Sequence, residues 1–407
     1  MDPGAHKRRL AVVSPTLDKR HGTERRVVEW ISQLAGAYEI HVYSQRVEDL
    51  DPSKFTLHRI PKFPGPHLFN FLWWFAANRL RREWDQRFRG IRYDLIFSPG
   101  PNCLDADAIS VHIVFAEYMR RIMSEPAGEQ QTIWNGPRRL HRALYYRLAA
   151  FLERCVYTNL KIDLILIAKR TGAALARHYG RCDPCPVVYV GLDHETFNSA
   201  RRAALREKAR AELGLGKDRF ILLLIGNDWR NKGIPVLLNV LAELRDLKVD
   251  LLFVTSEDPT PWREIVSARN LDERIRALPP RQDVEFYYAA ADAYVGPSLE
   301  DTFALPPAEA MCCGLPVIVS SANGTSEIIT HGVDGLILND PRDASGLAAM
   351  IRRLYEDRGF REELGQRAAE TTRKYTWENN GRELAAIFEG ILARKSGLAA
   401  ETLTQEP

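Results

Sequence analysis

No stretch of this 407-residue chain reaches the roughly 18 uninterrupted apolar residues of a membrane-spanning helix. The first apolar run, Leu10 to Val13, is too short for a signal-peptide core, and the residues before it, MDPGAHKRR, are polar. These absences predict a protein made and kept in the cytoplasm. Cysteine is scarce as well: six in a chain this long do not make a disulfide framework. Cys182 and Cys185 form a lone CxxC with no second pair for zinc, so they read as free thiols in a loop. Cys312 and Cys313 read as small buried apolar residues. Net charge is only +3, so bulk charge offers no argument for nucleic acid, and none is expected as a partner. No Gly-x-Gly-x-x-Gly follows an apolar run, which sets a dinucleotide dehydrogenase aside.

What is present is a long alternation. With 45% hydrophobic and 27% charged residues, the chain suits two or three domains with sizeable cores. Strands are predicted at Leu10–Ser14, Glu39–Ser44, Asp94–Ser98, Ile109–Ile113, Leu164–Ala168 and Val187–Val190, with amphipathic stretches between several of them. The pattern restarts at Phe220–Ile225, Asp250–Thr255, Ala293–Val295 and Val317–Ser320, after the charged helical segment Ala203–Leu213. Such alternation predicts an α/β protein of two doubly wound parallel sheets. The predicted domains are 1–198 and 199–375, followed by a helix over 376–395 and a frayed tail over 396–407.

The densest segment is PSLEDTFALPPAEAMCCGLPVIVSSANGTSE, from Pro297 to Glu327. Asp301 precedes Phe303, Ala304 and Leu305; Glu309 opens a short Ala/Met/Cys helix, and Gly314-Leu315-Pro316 closes it before a β-branched strand. A strand–loop–helix with acids on either side of the helix start offers N–H groups to a phosphate and a carboxylate to sugar hydroxyls. Upstream, Phe220–Ile225 runs into Gly226, Asn227, Arg230, Lys232 and Gly233, where backbone can approach a ligand and Lys232 supplies a cation. In open parallel sheets, ligands bind beyond the carboxyl ends of the strands.

These segments resemble the acid-x7-acid and G-x(5)-K-G elements of the retaining glycosyltransferases of family 4, which have the GT-B architecture. The resemblance implies two Rossmann-like domains facing a cleft, with the 376–395 helix crossing back to the first domain. It implies that Lys232 contacts the donor diphosphate, that Glu309 accepts from ribose hydroxyls, and that Phe303, Ala304 and Leu305 offer N–H groups. Gly226 and Arg230 join them as donor-binding residues. Asp301 stands where the family usually has Glu, and Phe303 sets that alignment in preference to Glu300. Asn227 stands where the family usually has Arg. Glu327 falls at a loop-bracing position, and the nucleobase is expected near Leu278–Arg281 and Tyr287–Ala291.

In the first half, Gly22 precedes a helix with Val27, Val28, Ile31 and Leu34 on its apolar face, and His21 replaces the first of two glycines usual there. Gly22 is expected over the donor phosphates, His112 near the reacting sugar, and Glu117 at the acceptor. A lone His after an apolar run is also read as a satisfied core residue. Lys232, Asp301 and His112 are the expected catalytic set, acting without metal: attack comes from the face the leaving diphosphate still occupies, and that diphosphate takes the acceptor's proton. Asp105 and Asp107 spell DxD, a metal-binding motif of another glycosyltransferase class, but precede a strand in the wrong half.

The donor is expected to be a UDP-, GDP- or ADP-sugar, with no separate cofactor, and the acceptor a glycan or glycolipid of the cell envelope. His67–Phe75, followed by Arg79, Arg81, Arg82, Arg87 and Arg89, and the basic stretch Pro137–Lys161 read either as core helices with wet arginines or as faces for an anionic membrane. The second reading places the protein peripherally on the cytoplasmic face. Two other functions fit the same pattern: a nucleotide-sugar epimerase, and a non-catalytic nucleotide-sugar- or lipid-binding relative.

Overall fold

The computed structural model describes residues 7–19, 22–63, 65, 67–123 and 136–403, without side chains at 67, 121–123, 136–143 and 398–403. Contacts divide the chain into two units: one takes the residues up to Gly191 and again from Trp377, the other runs Leu192–Thr376. The division falls at Gly191, before the expected Asn198. Leu192 N–H already bonds Tyr375 O at 2.9 Å, which ties the turn that follows to the second unit. Asn198 instead caps a helix, its side chain accepting from Arg201 N.

The strands of the first unit are β1 (Arg8–Val13), β2 (Thr16–Leu17), β3 (Tyr38–Ser44), β4 (Arg46–Val47), β5 (Thr56–Arg59), β6 (Leu95–Pro99), β7 (Ala108–Val111) and β8 (Asp163–Leu166). Its helices are α1 (Gly22–Leu34), α2 (His67–Arg89), α3 (Phe115–Met123), α4 (Gly136–Tyr157) and α5 (Lys169–Tyr179). Among the described residues, six strands make a parallel sheet in the order β5-β3-β1-β6-β7-β8, and β2 pairs with β4. Alternate residues of β1 serve opposite layers. Leu10 and Val12 pack with Val27, Val28 and Ile31 of α1, whereas Ala11 and Val13 pack with Trp74, Ile109 and Tyr157. Val187–Val190, expected as a strand, makes only an isolated bridge between Leu166 and Val187. Pro186, just before it, has no N–H to extend a ladder.

The second unit holds α6 (Ser199–Glu212), β9 (Phe220–Ile225), α7 (Ile234–Glu243), β10 (Val249–Val254), α8 (Thr260–Ala268), β11 (Ile275–Leu278), α9 (Glu285–Ala290), β12 (Ala293–Gly296), α10 (Leu305–Cys312), β13 (Val317–Ser320), β14 (Leu336–Leu338), α11 (Ala344–Glu356) and α12 (Arg358–Thr372). Its parallel sheet has the order β11-β10-β9-β12-β13-β14, so the winding reverses between β9 and β12. Residues Ile221 to Leu224 are buried on both faces of that sheet, as its continuous apolar run requires.

α13 (Trp377–Leu403) belongs to the first unit. Leu384, Phe388 and Ile391 join the layer of Leu10 and Val12, and the Phe388 ring lies 5.2 Å from Phe97 and 6.2 Å from Tyr38. The helix continues past the expected stop at Lys395, through Ala399, Ala400 and Glu401, all good helix formers. Residues 404–407 of the expected tail lie outside the described residues.

Candidate functional site

The reversal between β9 and β12 leaves a crevice at the carboxyl ends of those two strands, and the two densest sequence segments form the loops there. Gly226 follows β9 with φ +151°, and a Cβ built on it would stand 2.6 Å from Lys232 Cε. The missing side chain is therefore what lets Lys232 lie across the strand end. Gly233 has φ +88°, and its absent Cβ would meet Pro297 O at 2.5 Å, so the β9 and β12 loops touch through a glycine.

Across this seam Lys232 Nζ donates to Asp301 Oδ2 at 2.5 Å, both side chains being mostly buried. Asn231 stitches the same loops: its Nδ2 donates to Glu300 O at 2.8 Å, and its Oδ1 accepts from Glu300 N at 3.1 Å. Sequence reading passed over Asn231, although its place beside the expected lysine was the available signal. Asn227, the residue in place of the usual Arg, accepts from Thr255 Oγ1, Ser256 N and Ser256 Oγ at 2.9–3.1 Å. It braces the end of β10 and does not supply a cation. Arg230 lays its guanidinium over the Trp229 ring, 4.9 Å from the centroid, and its Nε has no hydrogen-bond partner.

Beyond Asp301 the chain forms one bridge with Asn323, and Asn323 then caps the short turn that carries half-buried Glu327. Phe303 and Ala304 are buried, and Leu305 opens α10. The Ala304 N–H, expected to face a donor, is turned toward Asn323 Oδ1 at 3.4 Å. Glu309 is buried in α10, where Tyr288 Oη donates to its Oε2 at 2.7 Å. Burial, reinforced by that carboxylate, raises the Tyr288 phenol well above its ordinary range, so it stays a donor at any neutral pH. Tyr287 to Ala291, near which the nucleobase is expected, are buried, and Tyr287 Oη donates to Pro279 O. Arg281 is held by Glu212 and Asp283.

The first unit receives Gly22, His112 and Glu117, each in a setting of its own. Gly22 is the exposed first residue of α1, and His21 lies outside the described residues. His112, at the end of β7, is 9% exposed. Its Nε2 is 2.8 Å from Ser110 Oγ and its Nδ1 3.5 Å from Arg26 Nη1. A guanidinium only donates, so the Nδ1 lone pair faces it and the ring proton belongs on Nε2. Burial, and then the Arg26 charge, hold His112 well below the ordinary histidine range, so the ring is neutral. Arg26 is itself buried, which lowers it to about 9, and its Nε has no hydrogen-bond partner.

Glu117, expected at the acceptor, is 4% exposed and accepts from Arg120 Nη2 at 2.7 Å and Arg177 Nη1 at 2.9 Å, with His178 Nε2 at 2.7 Å, tying α3 to α5. Asp105 and Asp107 are likewise committed. Arg82 grips both Asp105 oxygens at 2.7 and 2.9 Å, and Asp107 accepts from Ile96 N and Lys395 Nζ. Arg82, expected on the wet face of α2, is buried by that pairing.

The sequence model of the family described as glycosyl transferases, group 1, matches residues 206–371, all within the second unit. A D-inositol 3-phosphate glycosyltransferase of Pseudarthrobacter chlorophenolicus is 32% identical over 244 residues, covering 58% of this chain and 57% of that protein. One from an Arthrobacter species is 31% identical over 225 residues, covering 53% of this chain and 52% of its own length. The chain thus spans little more than half the length of the curated relatives it matches. Among solved structures, WaaG, a glycosyltransferase involved in lipopolysaccharide biosynthesis, is similar over 94% of this chain and 100% of its own, with a TM-score of 0.74 at 20% identity. Anabaena HepE, solved in complex with UDP-glucose, is similar over 94% of this chain and 99% of its own, with a TM-score of 0.70 at 18% identity. At such identities the likeness is one of fold, and that fold is the two-domain α/β architecture known as GT-B. Over residues 206–371 the second unit is similar to the group 1 glycosyl transferases.

Proposed function

We propose that the protein transfers a sugar, with retention of anomeric configuration, from a nucleoside-diphosphate sugar to a hydroxyl of a glycan or glycolipid. The observation that carries this reading is the Lys232–Asp301 pair at the winding reversal of the second unit, seated over the bare backbone of Gly226. A diphosphate entering the crevice presents a stronger anion to Lys232 than one carboxylate does, and frees Asp301 to accept from the donor sugar's hydroxyls. Arg230, stacked on Trp229 with an unpartnered Nε, is placed in the same loop to add a second cation. Glu309, steadied by Tyr288, would accept from the ribose hydroxyls.

In this reading the developing negative charge on the leaving diphosphate is stabilised by Lys232 and backbone N–H groups, and the diphosphate takes the proton of the attacking hydroxyl. No metal or separate cofactor is required. His112 enters as a neutral imidazole, and a contact from Nε2 to a sugar would replace the one to Ser110. HepE's complex with UDP-glucose and the D-inositol 3-phosphate glycosyltransferase relatives support a nucleotide-sugar donor without fixing its base, its sugar or the acceptor here.

The test is thermal stabilisation by UDP, GDP, ADP and their sugars, since a ligand at 100 times its Kd adds about 2.7 kcal/mol. One nucleotide series is expected to raise the melting temperature, undiminished by EDTA. Lys232→Ala and Glu309→Ala should each abolish most of that rise. Asp105→Ala should lower the starting temperature yet keep the increment. Turnover of donor with no acceptor present would point to an epimerase instead, and an increment untouched by Lys232→Ala would sink the site.

A further inference from the structure

Helix α2 buries charged and polar side chains while leaving several large apolar ones outside. Beside apolar Trp74 and Ala77, its buried face carries polar Asn78, Arg82 and Asp85, spaced for one face. Each finds partners there, though Arg82 Nε and Asp85 Oδ1 have no hydrogen bond. Arg82 pairs with Asp105 and Asn78, and Asp85 accepts from Tyr43 Oη at 2.8 Å and lies 2.7 Å from His58 Nδ1. The opposite stripe, Phe69, Leu72, Trp73, Leu80, Trp84 and Phe88, faces solvent, with Phe69, Leu80 and Phe88 exposing 59, 62 and 68% of their surface. Nothing forces these residues outward for want of an interior. The buried ion pairs fix the helix in that rotation, and solvent-facing apolar stripes of this size mark contact surfaces.

The charges on the helix select the partner. Arg79, Arg81, Arg87 and Arg89 lie along the exposed side, against Glu83 and the buried Asp85. Arg81 and Arg89 sit over the Trp84 ring at 5.3 and 4.9 Å, and Arg87 over Phe88 at 5.9 Å, so cations and rings form one surface. A second copy meeting this face about a two-fold axis would set arginine against arginine. An anionic headgroup layer neutralises the arginines and takes the rings below them. No helix among the described residues is long and apolar enough to cross a membrane, so the contact is with the surface. We propose that the outward stripe of α2 docks the first unit on an anionic lipid bilayer. This inference stands apart from the donor site.

The experiment is co-sedimentation of the full chain with phosphatidylcholine vesicles, with and without phosphatidylglycerol. The wild type should bind the anionic vesicles, more weakly as salt rises. The triple variant Leu80→Ser, Trp84→Ser, Phe88→Ser should lose roughly tenfold or more in partitioning. Because these side chains are exposed, its circular dichroism and melting temperature should match the wild type. Arg79→Glu with Arg87→Glu should remove the preference for phosphatidylglycerol. Equal binding of wild type and triple variant would overturn the proposal. So would equal binding to neutral and anionic vesicles, or a dimer that the triple variant dissociates. Nucleotide stabilisation, measured on the same samples, keeps the two readings separable: vesicle binding lost with that stabilisation intact counts against docking alone.

Discussion

Gly226 shows how a single missing atom decides the character of the crevice. Lys232 reaches Asp301 because its stem crosses the strand end at Gly226, where a Cβ would stand 2.6 Å from Lys232 Cε. Gly226→Ala therefore displaces the ammonium and strains a backbone at φ +151°. Nucleotide affinity should fall about tenfold or more, a change of roughly 1.4 kcal/mol upward. Titration calorimetry against the stabilising nucleotide reads this directly, and an unchanged Kd would mean that Lys232 does not hold the phosphates. At this scale the sequence made the types of residue legible and left their partners hidden. Lys232 and Asp301 stood out in their motifs, but their ion pair spans 69 positions. The same distance problem hid the partners of Glu117, since Arg177 and His178 lie on another helix.

Among the elements, α3, α4 and α5 of the first unit meet at Glu153. Its carboxylate accepts from Phe115 N at the start of α3, at 2.8 and 2.9 Å, and from Tyr179 Oη at 2.7 Å. Those bonds favour the charged form, but burial outweighs them and raises the group from 4.5 to about 7. A raised carboxylate stabilises the fold fully below the unfolded value. The contribution is lost as pH climbs through the folded one. Between about pH 4.5 and 7, this one residue should cost the fold on the order of 3 kcal/mol. Urea denaturation across that range should show a steeper decline in the wild type than in Glu153→Gln, and parallel curves would refute the assignment. Long apolar strands such as β9 were readable from sequence to the residue. β5, β11 and β14 escape the sequence because they are short edge strands: Thr56–Arg59 and Ile275–Leu278 mix polar and apolar residues, and Leu336–Leu338 is too brief to show a period.

Over the whole molecule, the chain's last helix completes the layer its first strand begins. Phe388 is fully buried among Tyr38, Phe97 and the β1 residues Leu10 and Val12. Phe388→Ala should destabilise the first unit by about 3–5 kcal/mol through lost transfer energy and a residual cavity. Calorimetry that finds a loss below about 1 kcal/mol would show that the site collapses around the gap.

The sequence by itself determined the fold class, the alternation of strands and helices, and the two loops that flank the second unit's winding reversal. Those properties rest on local periodicity and on glycines next to strand ends, which neighbouring residues dictate. Only the tertiary structure decided that Lys232 meets Asp301, that Asn227 braces β10, and that Arg82 is buried while Trp84 and Phe88 face out. Each of those outcomes depends on which distant group satisfies a buried charge, and residue spacing along the chain does not specify that.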